Sequence, residues 1–141
     1  MDSKRMIIAV AVVFVTLVVA GFLIHAVWLG STYQALRDAG FSFRSPDAFQ
    51  RRIWLIWLSD LLYAILFVWV YVRGREETPW VGQGVRHGVL MTFFTIVPSA
   101  LNDYAVYSLP HILVVKWMAA GGAVLIILGL LVAAICQKKA T

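Results

Sequence analysis

Cysteine is almost missing from this chain: Cys136 is the single one in 141 residues. One thiol excludes an internal disulfide, a CxxC redox pair and a cysteine-rich metal site, and with them the four-helix, quinone-linked thiol oxidoreductases. Beside Gln137, Lys138 and Lys139, Cys136 is read as an inert interfacial thiol, with acylation as the alternative. Charge is scarce too, at 13% of residues against roughly 25% in ordinary soluble domains. The net charge of +5 is scattered and forms no basic stripe, so no nucleic-acid partner is expected. No HExxH, no Glu-xxx-His and no pair of histidines at helical spacing on one span is present, so no metal site is expected. A serine nucleophile elbow, a phosphate-binding glycine loop and a paired-glutamate motif are missing as well. "GQG" at 82–84 reads as a turn. No cofactor is expected, the one opening for haem being His25 and His111 near one face.

What the chain has instead is apolar length: 62% hydrophobic residues and a mean hydropathy of +0.85. Each membrane-spanning helix needs about 20 mainly apolar residues. Four such runs are present, at about 6–30, 53–73, 84–107 and 111–136. The first is too long for a signal-peptide core. The expected fold is therefore all-α, a four-transmembrane-helix bundle forming a single membrane domain over 1–141. The first helix has room to continue as "STYQALRDA" to a stop at Gly40. Ser45, Pro46 and Asp47 spell a helix start. Trp54, Trp57, Trp80 and Trp117 suit interfacial belts.

Four spans put both termini on one side. That side holds Lys4, Arg5, Arg73, Arg75, Arg86, Lys138 and Lys139, whereas the other holds Arg37, Arg44, Arg51 and Arg52. The excess of Lys and Arg in cytoplasmic loops then places both termini in the cytoplasm.

Polar residues inside the spans carry the functional signal. Gly88, Thr92, Thr95, Ser99 and Asn102 step by three and four residues, one face of a helix on which small and polar groups pack neighbouring helices. Pro98 should bend that helix. His25, Asp60, Asp103 and Lys116 each lie about 6–11 Å inside the non-cytoplasmic end of their helix at 1.5 Å per residue. An unpaired intramembrane charge is costly, so Asp60 is expected to pair with Lys116, and Asp103 with His25. Ser59, Tyr63, Asn102 and Tyr104 complete the expected network. Plainer roles stand beside these: Lys116 snorkelling to the interface, His25 as a neutral bundle residue, Asp103 as a turn residue. His87, next to Arg86, is expected to be solvated.

"IHAVWLGSTYQAL", "FVWVYVRG" and "VPSALNDYAVYSLP" resemble a group of small bacterial four-span membrane proteins with no assigned function. The resemblance covers about residues 20–117 and implies a helical bundle in a bacterial inner membrane, with no catalytic residues to carry over. Small multidrug exporters also have four spans, but their span-one glutamate is replaced here by a span whose one ionisable residue is His25. The leading expectation is a non-enzymatic protein that binds a small amphipathic ligand, a lipid or a partner helix at the polar cluster of His25, Asp60, Tyr63, Ser99, Asn102, Asp103 and Lys116. The alternatives are a small proton-coupled transporter, which would have to oligomerise, and a membrane enzyme or haem protein. The lipid bilayer and a homo-oligomer or membrane protein are the expected partners.

Overall fold

A computed structural model describes residues 3–137. They form α1 (Ser3–Gly21), a π-helical segment (Phe22–Trp28), α2 (Gly30–Asp38), α3 (Pro46–Gln50), α4 (Ile53–Gly74), α5 (Trp80–Met91), a π turn (Thr92–Ile96), α6 (Val97–Val106) and α7 (His111–Cys136). No strand occurs among the described residues. Four stretches are long and apolar enough to cross a membrane: Ser3–Trp28, Ile53–Gly74, Trp80–Val106 and His111–Cys136. The expected all-α four-helix bundle is what the chain forms.

The outside of this bundle is greasy. Phe94 is 77% exposed and Val106 74%, a surface suited to hydrocarbon rather than water. In such a solvent, helices are held by close packing and hydrogen bonds more than by the hydrophobic effect. Glycine supplies the close packing between α5 and α7. A Cβ on Gly88 would lie 2.5 Å from the Leu125 carbonyl oxygen and the Ile126 Cα, and one on Gly84 would lie 2.8 Å from the Gly129 oxygen. One on Gly129 would collide with the Gly84 carbonyl. The two backbones touch, and α7 also packs against α1, α4 and α6.

The core has two parts. Towards the end that carries Ser3 and Gln137, Ala9, Val13, Ala64, Phe67, Val68, Tyr71, Met91, Leu125, Leu128 and Val132 are buried together. At the opposite end, Leu29, Ala100, Leu109, Leu113 and Val114 form a smaller group against Tyr33, Leu36, Phe41 and Trp117. The first is the terminal end of the bundle and the second its far end.

The capping chemistry follows the sequence. Gly40 has φ +89°, with its N–H on the Arg37 carbonyl and the Phe41 N–H on the Leu36 carbonyl, both at 2.9 Å. That pair of bonds is a Schellman stop, and Phe41 and Leu36 both pack on the Leu29 cluster. Ser45 caps α3, its hydroxyl accepting from the Ala48 N–H at 3.3 Å, with Pro46 next. Two boundaries differ from expectation. The third span starts at Trp80 rather than 84, so "GQG" is helix and not a turn. Span one stops at Trp28, and α2 begins anew after Leu29 instead of continuing straight. Wide turns accompany this break and precede Pro98. Proline has no N–H for the Phe94 carbonyl and its ring crowds it. The turn just before it widens, the Val97 N–H bonding Thr92 five residues back.

Candidate functional site

At the far end, the π segment presents His25 to α2. Its Nδ1 lies 2.7 Å from the Tyr33 hydroxyl, and the two rings stack with centroids 6.0 Å apart. The Trp117 indole of α7 donates to the same hydroxyl at 2.8 Å. Tyr33 thus accepts from Trp117 and shares a second hydrogen bond with His25, whose tautomer sets the donor. Burial pushes the Tyr33 phenol up, partly offset by the Trp117 hydrogen bond, so the hydroxyl stays protonated. Phe43 packs edge-on against Tyr33 at 5.9 Å, and the Arg37 guanidinium lies over Phe43 at 5.7 Å. One residue before Trp117, Lys116 holds its Nζ 5.6 Å above the Trp28 ring.

Neither expected ion pair forms among the described residues. His25 is engaged by Tyr33 rather than Asp103. Lys116 reaches the end of span one rather than Asp60. Helix order decides this. Lys116 and Trp117 lie on the α7 flank facing α2 and the π segment, and the amine reaches Trp28, the last residue of the first long apolar helix. Of the seven cluster residues, His25 and Lys116 come together in this aromatic group. Tyr63 belongs to a separate contact, its hydroxyl 3.3 Å from the Thr95 hydroxyl across the α4–π-turn interface. Thr95 in turn donates to the Met91 carbonyl at 2.7 Å.

Ser99 and Asn102 are exposed and do not continue the inward stripe of Gly88, Thr92 and Thr95. The π turn inserts one residue into the helical repeat, and each α-helical residue is worth about 100° of rotation. Beyond it, the inward positions move one place along the chain: Ala100, at 5% exposure, takes the place expected for Ser99, and half-buried Asp103 that expected for Asn102.

Asp60 is half-buried, three residues before Tyr63 and seven before fully buried Phe67, so it shares their bundle-facing side of α4. It has no hydrogen-bond or ion-pair partner among the described residues. Between Ile53 and Tyr63, no α4 residue is fully buried. Asp60 therefore sits where α4 has left the packed core.

The terminal end holds polar packing that sequence reasoning missed. His87 is 9% exposed, not solvated. Its Nε2 lies 3.1 Å from the Phe67 carbonyl, with the Phe67 and Tyr71 rings edge-on at 4.4 and 5.3 Å. Because the helix begins at Trp80, His87 is two turns inside it and on the α4 side. Gln83, 8% exposed, accepts from the Glu76 N–H at 2.9 Å and donates to the carbonyls of Glu76 and Thr78. Arg86 grips Glu76 through both guanidinium nitrogens, 2.9 and 3.3 Å, and Arg75 donates to the Cys136 carbonyl at 2.8 Å. The signal available beforehand was the GxxxG spacing of Gly84 and Gly88, which turns Gln83 and His87 inward with the glycines.

No group of three His, Cys, Asp or Glu side chains arranged to hold a metal occurs among the described residues. The terminal-end contacts are mutually satisfied and close a hairpin. At the far end, Asp60 and Asp103 lack an ion pair among the described residues, and Lys116 and Arg37 lie over aromatic rings. Compared with protein families, curated proteins and solved structures, the chain matches none.

Proposed function

We propose that this chain is a membrane-embedded binding protein that receives, at Asp60, the polar group of a small amphipathic ligand, a lipid or a partner helix. One observation carries the reading: Asp60 faces the bundle, about 10 Å along α4 from Ile53 at 1.5 Å per residue, with no partner in the described chain. An ionisable group at that depth is costly unless something meets it. Lys116, the nearest cation in sequence-based expectation, is engaged elsewhere. Tyr63, one turn deeper, keeps lone pairs for a further hydrogen bond while donating to Thr95. The exposed Trp57 and Leu61 offer apolar surface beside the carboxylate.

In this proposal the protein lies in a bacterial inner membrane with both termini in the cytoplasm and the far end outside. The basic residues Lys4, Arg5, Arg73, Arg75 and Arg86 at the terminal end support that orientation; Lys138 and Lys139 lie outside the described residues. Labelling an Arg44→Cys variant with an impermeant maleimide reads the orientation directly.

A photo-crosslinking residue in place of Ser59, next to Asp60, tests the binding reading in native membranes. A discrete adduct that disappears on Asp60→Asn is the expected result. Diffuse lipid labelling, unchanged by Asp60→Asn, would refute it.

A further inference from the structure

The two ring-held cations at the far end have a different chemistry from Asp60, and they do not depend on it. We propose that Lys116 over Trp28 and Arg37 over Phe43 hold the phosphate groups of anionic phospholipids. The Lys116 Nζ lies 5.6 Å from the Trp28 centroid, and Trp28 is the last residue of span one. Although Lys116 starts five residues inside α7, its charge is thus delivered to the level where a span ends and headgroups begin. Arg37 lies in α2, beyond that level, with its guanidinium 5.7 Å from the Phe43 centroid.

A ring contact and a hydrogen bond link the two sites. Phe43 packs on Tyr33, Tyr33 accepts from Trp117, and Trp117 follows Lys116 directly. A ring face orients a cation but leaves its charge uncompensated and most of its N–H donors unused. No carboxylate neutralises either cation among the described residues: Asp38, next to Arg37, is bonded to Gln34 at 2.9 Å. Arg44, Arg51 and Arg52 are exposed on the same connecting segment and also lack an ion pair among the described residues. At the terminal end Arg86 is clamped by Glu76, while Arg73 lies over Trp69 on the single helix α4, with no second ring-held cation beside it among the described residues. An interfacial surface with fixed, unneutralised cations and aromatic rings fits phosphodiester headgroups, which guanidinium binds in bidentate fashion and ammonium as a point charge.

The test is native mass spectrometry of the purified full chain after incubation with equal amounts of phosphatidylglycerol and phosphatidylcholine of identical acyl chains. Retained phosphatidylglycerol should exceed phosphatidylcholine about twentyfold, falling about fivefold with Lys116→Gln or Arg37→Gln. The preference should persist with Lys116→Arg and with Arg73→Gln, whose cation lies over Trp69 in the last turn of α4. Raising the salt concentration on the unaltered protein should erode it, a check that needs no variant to fold. Equal retention of both lipids by the unaltered protein overturns the proposal, as does a salt-insensitive preference. Full displacement of the lipid by millimolar inorganic phosphate overturns it too, marking a free-anion site instead.

Discussion

Tyr33 joins three segments by one hydroxyl: α2, which carries it, the π segment through His25, and α7 through Trp117. A hydrogen bond between membrane helices contributes about 0.6 kcal/mol on average, with larger cases near 1.7. Trp117→Phe should therefore cost about 0.5–1 kcal/mol of unfolding free energy in mixed micelles, and Tyr33→Phe about 1–2. The two losses should not add, because Tyr33→Phe already removes the bond that Trp117→Phe deletes. Strict additivity would show that the relay does not exist in solution. His25 and Lys116 were identifiable in the sequence as intramembrane ionisable groups, since a span's composition exposes them at once. Their partners were not, because Tyr33 and Trp28 become neighbours only when α2 breaks away from span one at Leu29. His87 shows the same limit: Arg86 beside it suggests water, whereas the Gly84–Gly88 contact with α7 turns it into the core.

At the scale of elements, the four spans were legible because each needs only an apolar run of sufficient length, and the His111–Cys136 boundaries match those expected. The phase of the third span was not. Periodicity assumes an unbroken α repeat, and a single extra residue in the π turn is silent in a pattern of hydrophobic and polar letters. The shift has a direct consequence. Ala100→Leu should overpack the far-end core and cost about 1–3 kcal/mol, whereas Ser99→Leu, on the exposed side, should stay within about 0.5 kcal/mol. Thermal unfolding in detergent distinguishes the two. The reverse order, Ser99 sensitive and Ala100 tolerant, would mean that the α repeat runs uninterrupted through Thr92–Ile96.

For the whole molecule, the two ends divide the work. The terminal end is closed by Gln83, His87, Arg75 and the Arg86–Glu76 pair, each polar group meeting another within the chain. The far end is where α4 departs from its neighbours, and where Asp60, Lys116 and Arg37 have no ion-pair partner among the described residues. A polar cluster in one leaflet was visible in the sequence as four ionisable residues at similar depth. That it is divided, with His25 and Lys116 in an aromatic group and Asp60 and Asp103 outside it, depends on helix order, which depth alone does not contain. The central claim is that Asp60 has no partner among the described residues. The most direct measurement is a double-mutant cycle on Asp60→Asn and Lys116→Gln, read as unfolding free energy of the ligand-free protein in detergent. The account predicts unchanged or higher stability for Asp60→Asn, and effects that add within about 0.5 kcal/mol. A loss of about 3–5 kcal/mol for either single variant, largely recovered in the double, is the mark of a buried ion pair and would contradict it.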